Sequence, residues 1–343
     1  MLGRSLAHKY AADSLLSFAD EKGILGSLSS LGSFTLKDAA AALRRECGYA
    51  LDEGVRARML KVLIDFLCEC GLAAHDNGCC VWRDGCGNGR LASAGEMTQA
   101  AELFRGQVDF FDRCLAYADV FLRGGDRLFG FDAESAQIWE NFLGNAEFNF
   151  GRSVLAQLMF SSGSKNPEVL DLCCGPGFDI IEIQNNSAGA IVTVLDFKDV
   201  FRERVLRRAP DPEAVRWIDS GSWAGFGTAL PFAPEAFDAV FFACADPYIP
   251  EESREFVYSD IFRVIRPGGS LNILSHSYPD PEQKFVDDPW IRKGTLCHDF
   301  AESVCEGWHG FYDAAASCRL FESIGFRVTT IMMNASIWRL DKL

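Results

Sequence analysis

Two carboxylates and a glycine turn lie along residues 171–196 at spacings that suit a nucleoside ligand. Residues 169–178 read VLDLCCGPGF: an apolar strand carrying Asp171, then a turn through Cys173, Gly175 and Gly177 that opens a helix. Glycines at such a turn let backbone approach a ligand, because no Cβ intervenes. A second apolar run ends at Asp196, 196 − 177 = 19 positions past the later glycine. At about that distance an acid on the second strand of a βαβ unit reaches a ribose diol. A dinucleotide site calls for G-x-G-x-x-G, and the third glycine is missing. Asp171 would repel a pyrophosphate. It suits a ligand carrying an ammonium or sulfonium charge.

The second half of the chain supplies elements to position these groups. Residues 215–218 are expected as a third strand, leading into Asp219, Ser222 and Trp223. The apolar run 237–243 fits a strand buried on both faces. Residues 251–265 have helical periodicity, and the Arg-Pro-Gly-Gly run 266–269 is expected as the turn into a fifth strand at 270–274. A helix ending at Gly325 and two strand-like runs, 326–333 and 335–340, complete the chain. Strands alternating with helices predict an α/β fold with a doubly wound, mainly parallel sheet.

These motifs together resemble the class I S-adenosylmethionine-dependent methyltransferases. Asp171, Cys173, Gly175 and Gly177 match that family's first motif, D-x-G/A/C-x-G-x-G, position by position, and the helix, R/K-P-G-G, strand passage is a second signature. The resemblance covers roughly residues 150 to 343. It implies a seven-stranded Rossmann-like sheet with a C-terminal antiparallel hairpin, and S-adenosyl-L-methionine as cofactor. Asp171, Cys173, Gly175, Gly177, Asp196 and Phe197 would then line the cofactor, with Asp219, Ser222 and Trp223 holding the adenine.

The first half reads differently. With 343 residues the chain exceeds what one core usually organises. Residues 5–28 are expected as a helix, Thr35 as the N-cap of a second helix, and 55–70 as a third. A hairpin around Asn77-Gly78 follows. Helix, helix, helix, hairpin is a winged-helix order. It is similar to the N-terminal dimerisation domain of small-molecule O-methyltransferases, and that likeness implies a homodimer. The expected division is 1–90 dimerisation domain, 91–150 helical linker and aromatic-rich substrate lid, 151–343 catalytic domain. A DNA-binding role is the sharp alternative. A net charge of −15 opposes it, because phosphate contacts need clustered Lys and Arg.

Thirteen cysteines raise disulfides and metal as possibilities. No secretory leader pattern is visible, which favours reduced thiols and a cytoplasmic location. Cys68, Cys70, Cys79, Cys80 and Cys86 crowd one region, but paired C-x₂₋₄-C knuckles are absent, so no metal is expected. No apolar run approaches ~20 residues, and no membrane span is expected.

Methyl transfer from a sulfonium is an in-line displacement that depends mainly on orientation. A base helps only where the nucleophile must lose a proton. The relatives usually place His-Asp after the fourth strand; here Ala245 takes the histidine's position and Asp246 the aspartate's. The base is therefore expected to be relocated or unnecessary. His276, directly after the fifth strand, is the first candidate, with Asp246 and His298 behind it. His309, Tyr248 and Tyr278 are weaker candidates, and His8 and His75 are expected to be structural or surface groups. The reaction expected is methylation of O, N, S or C on a small, flat, partly apolar metabolite. Relatives that bind the cofactor but catalyse decarboxylation, hydroxylation or ring formation supply the alternative.

Overall fold

The computed structural model describes residues 2–83, 91–160, 166–278 and 290–343. Contacts divide the chain into two units. One comprises Met1–Gly130 and Asp287–Gly310, the other Phe131–Val286 and Phe311–Leu343. This differs from the division expected at residues 90 and 150. The anticipated helical linker is split at 130, and a segment from the catalytic half belongs to the N-terminal unit.

In the N-terminal unit the expected long first helix is two helices, Leu2–Glu21 and Ile24–Ser29. Gly23, with φ 73°, takes the left-handed conformation that breaks them apart. Thr35 caps the helix Leu36–Cys47 as anticipated: its hydroxyl accepts from the Asp38 amide at 3.2 Å, and the Asp38 carboxylate accepts from the Thr35 amide at 2.9 Å. The helix Gly54–Glu69 buries Met59, Leu63, Phe66 and Leu67. Strands β1 (Ser33–Phe34), β2 (Ala73–Asp76) and β3 (Cys79–Trp82) form a small sheet in the order β1-β3-β2. Asn77 and Gly78 both have positive φ, 47° and 84°, as a type I′ hairpin turn requires. Cys86 lies outside the described residues. The helix Trp290–Glu302 packs on Leu2–Glu21 and Gly54–Glu69. It is so close to the first helix that a Cβ on Gly294 would strike the His8 ring at 2.3 Å.

The second unit carries a seven-stranded sheet. Its strands are β4 (Glu168–Leu172), β5 (Ile191–Leu195), β6 (Val215–Trp217), β7 (Phe237–Ala243), β8 (Ile265–Leu274), β9 (Phe326–Met332) and β10 (Ile337–Lys342). The order is β6-β5-β4-β7-β8-β10-β9, and only the pairings of β10 are antiparallel. This is the doubly wound sheet and closing hairpin expected. Val169, Leu170, Val240, Phe241, Phe242 and Leu271 are all fully buried. That burial explains why the central strands read as unbroken apolar runs. One local expectation is corrected: β8 begins at Ile265, before the Arg-Pro-Gly-Gly run. The glycines are taken up as an irregularity, β7 switching partner from Ile265 at Phe237 to Ser270 at Ala239. Among the described residues no helix is long and apolar enough to cross a membrane.

Candidate active site

Strands β4 and β5 run parallel with Asp171 opposite Val194, and their carboxyl ends deliver Asp171, the glycine turn and Asp196 to one place. Cys173, Gly175 and Gly177 have φ of 60°, 51° and 83°. The two glycines serve different ends. A Cβ on Gly177 would lie 2.8–2.9 Å from Val205, backbone included, so this position lets the turn pack on the helix Arg202–Arg208. A Cβ on Gly175 would meet only Leu143, at an ordinary 3.5 Å.

Asp196 is 5% exposed, with one oxygen accepting the Gly175 amide at 2.6 Å and the other the Phe197 amide at 2.6 Å. The Cys174 thiol donates to it at 3.6 Å. Burial pushes the Asp196 carboxyl up from 3.8 to about 6, against the pull of those donors, and Asp179 adds to the rise. Asp171 is fully buried, and neither carboxylate oxygen has a hydrogen-bonding partner among the described residues. Burial, then the charges of Asp179 and Asp196, raise it well above the usual carboxylate range, with Arg152 opposing. Arg152 is committed elsewhere: it is paired with Asp179, both buried, and it donates to the Leu143 carbonyl at 2.7 Å. Asp171 and Asp179 thus share one arginine beside the turn.

Residues 131–143 lie over this turn. Glu140, on the helix Ala136–Leu143, accepts from Arg204 at 2.8 Å and also pairs with Arg208. Arg208 in turn donates to the Pro176 carbonyl at 2.7 Å. The Phe131 ring stacks on Trp139 at 5.1 Å and on Phe197 at 6.1 Å, and Phe197 stacks on Trp223 at 5.1 Å. Part of the anticipated aromatic lid is therefore beside Asp196. Phe104, Phe110, Phe111, Tyr117, Phe121 and Phe129 belong to the N-terminal unit instead.

The loop after β6 differs in detail from expectation. Asp219 and Ser222 are exposed and bond within their own turn: Asp219 accepts the Gly221 amide at 2.8 Å, and the Ser222 hydroxyl donates to the Asp219 carbonyl at 2.7 Å. Trp223 is the member that reaches inward, against Phe197. Asp199, not anticipated, pins this loop by accepting from Trp217 Nε1 at 2.7 Å and from the Ser220 amide and hydroxyl at 3.1 and 3.0 Å.

The three base candidates fall in different settings. Asp246 is 4% exposed, accepts from Arg254 at 3.0 Å, and takes a hydrogen bond from the Tyr258 hydroxyl. Through those buried partners it anchors the turn after β7. His298 belongs to the N-terminal unit, where Nε2 meets Glu302 at 2.6 Å and the ring stacks on Trp308 at 6.0 Å. It is a core histidine of that unit. His309 is exposed. His276 is where it was expected, just after β8, with Nδ1 3.3 Å from the Ser336 hydroxyl and its ring between Phe311 at 5.4 Å and Phe148 at 6.2 Å. Tyr248 packs edge-on against Phe131 at 5.1 Å, and Tyr278 against Phe311 at 6.3 Å.

Comparison with known proteins agrees with this geometry. Residues 169–269 match the family described as a methyltransferase domain. A demethylmenaquinone methyltransferase from Lactiplantibacillus plantarum is 30% identical over 142 residues, 40% of this chain and 55% of that protein. The chain spans about half the length of the curated relatives it matches. Among solved structures, the DszA carbon methyltransferase superposes with a TM-score of 0.67 at 15% identity, covering 100% of this chain and 91% of that one. An O-methyltransferase family 2 protein from Planctomyces limnophilus, in complex with apigenin, gives 0.61 at 11% identity, over 98% and 94% of the two chains. At these identities the likeness is one of fold. The chain has the class I methyltransferase fold, built around a methyltransferase domain at residues 169–269.

Proposed function

We propose that the protein binds S-adenosylmethionine and transfers its methyl group to a small, partly apolar metabolite. The observation that carries this reading is Asp171: a fully buried carboxylate beside the glycine turn, with no partner for either oxygen among the described residues. Burial disfavours its ionised form, and a cation brought to it restores that form. The cofactor supplies that cation, and its sulfonium makes the methyl electrophilic. The residues fit it: Asp196 offers carboxylate oxygens to a diol, Phe197 and Trp223 offer aromatic faces to a base, and the turn at Gly175 has no side chain to displace.

The chain's own part in the reaction is positioning and, for a protonated acceptor, removal of one proton. His276 is the group for that proton. With its Nδ1–H given to the Ser336 hydroxyl, Nε2 keeps the lone pair that a base needs. Phe148 and Phe311 exclude water from the ring and favour a flat acceptor. A homodimer through the N-terminal unit belongs to the same reading.

Labelled cofactor, offered with phenolic, carboxylic, amine and thiol acceptors, tests it together with calorimetry. His276→Ala should cut turnover of phenols by about 10²–10⁴-fold while leaving cofactor affinity unchanged. Wild-type protein that binds no cofactor up to millimolar concentration sinks the reading. Cofactor binding with a product that carries no labelled methyl, at unchanged cofactor-site affinity, would favour the non-methylating alternative.

A further inference from the structure

The hairpin of the N-terminal unit and the end of the helix before it bring Cys68, His75 and Cys80 together, and we propose that they bind a thiophilic divalent cation, zinc by ligand type. Cys68 lies in the last turn of Gly54–Glu69, His75 on β2 and Cys80 on β3. His75 and Cys80 are directly opposed in the antiparallel register, which puts both side chains on one face. One ligand atom from each of the three lies within 4.8 Å of the others, and Cys80 Sγ is 3.5 Å from His75 Nδ1. Tetrahedral zinc, at about 2.3 Å from sulfur and 2.0–2.1 Å from nitrogen, needs ligand atoms roughly 3.5–3.8 Å apart. One edge already has that length, and the others need to close by about 1 Å at most on the same geometry.

A second, independent feature concerns the imidazole. His75 Nε2 is 3.0 Å from Asp65 Oδ1, and the other Asp65 oxygen accepts from Lys61 at 2.7 Å. A carboxylate that receives Nε2–H fixes the tautomer that leaves the Nδ1 lone pair directed at the metal. Asp65 and Cys68, three residues apart, share a helix face, so one helix carries both a ligand and the group that orients another. Two thiolates and one imidazole are a set that selects zinc over hard cations. The fourth position falls to solvent, since the His75 side chain is 61% exposed. Each thiol gives up its proton to solvent as the metal binds. The ion would tie the hairpin to the helix, holding a short sheet that otherwise rests on few residues. Sequence spacing hides the site because Cys68 and Cys80 are twelve positions apart, outside any knuckle pattern.

Cobalt titration of the reduced, metal-free full chain tests the site. One equivalent should give thiolate-to-cobalt charge transfer and intense tetrahedral d–d absorption, displaced by zinc. Cys68→Ser should abolish both signals, and so should Cys80→Ser. Cys79→Ser, whose side chain alternates to the other face of β3, should leave them intact. Asp65→Asn should retain the spectrum while weakening affinity by about 10–100-fold; this variant keeps every ligand and reads the site even where a cysteine variant folds poorly. A featureless wild-type titration would overturn the proposal. So would a spectrum that survives both cysteine changes, or a Cys68–Cys80 disulfide in the purified protein.

Discussion

Acidification from pH 7 to pH 5 should weaken cofactor binding about tenfold through Asp196 alone. The free protein holds this carboxyl near a pKa of about 6, chiefly because it is buried. Binding a diol and standing near a sulfonium both require the ionised form. By simple titration the ionised fraction is about 0.9 at pH 7 and about 0.09 at pH 5, a tenfold drop, or about 1.4 kcal/mol. At pH 6 binding should release about half a proton from this group. Calorimetry in two buffers of different ionisation enthalpy measures both the affinity and the proton count. Asp196→Ala should bind more weakly at pH 7 by about 1.5–3 kcal/mol, for loss of charge-assisted hydrogen bonds, and its affinity should fall less steeply with acid. An affinity that is flat between pH 7 and pH 5 with no proton released, or one that strengthens in acid, would refute the assignment.

The same carboxyl should make the free protein more stable as pH falls from 7 to 5. Its folded pKa lies above its unfolded value of 3.8, so over that interval the native state holds a proton that the unfolded chain has released. Linkage gives about 1 kcal/mol from Asp196, seen as a rise in melting temperature that saturating cofactor should suppress; a fall in the free protein would contradict it. Arg254→Ala should cost about 3–5 kcal/mol in denaturant melts, because it strips the buried Asp246 of its cation; a loss under 1 kcal/mol would show that Tyr258 suffices. Gly177→Ala should destabilise more than Gly175→Ala, by about 1–3 kcal/mol, because only at 177 would the new Cβ strike Val205. Equal losses in the two variants would show that positive φ, not the contact, decides the cost.

The sheet was legible because its signals are local. Fully buried parallel strands give unbroken apolar runs, as β7 does over residues 239–243, and the Thr35 cap and Asn77-Gly78 turn are chemistry of adjacent residues. What escaped the sequence depends on which distant element lies opposite. Residues 290–302 fall within the stretch expected as the catalytic domain, yet they form a helix whose Leu296, Cys297 and Phe300 bury themselves in the N-terminal unit. Nothing in a helix's own periodicity names the core that will receive it. Gly177 was read as leaving room for a ligand, and the structure adds a packing reason that the sequence does not show, the closeness of Val205. Asp246 was placed correctly in the loop after β7. Its partners, Arg254 at the first residue of the helix Arg254–Val264 and Tyr258 one turn into it, are not revealed by its own position in the motif.

The pattern of charge around the turn also separates ligand classes that the glycines alone do not. Asp171, Asp179 and Asp196 are all within a few per cent of full burial, and Arg152 offsets the charge of Asp171 and Asp179. That arginine is already paired with Asp179. A pyrophosphate would add two negative charges where two carboxyls are already raised by burial and by neighbouring carboxylates. A sulfonium and an ammonium reverse that sign and relieve the site. The free protein therefore stores at Asp171 and Asp196 a destabilisation that a cationic ligand removes on binding. Asp171→Asn should uncouple the two effects: the free protein should keep its stability, because an amide is neutral as the raised carboxyl is, while cofactor affinity falls. If affinity and stability instead fall together, Asp171 is a framework residue, and selection for the cation must come from elsewhere in the turn.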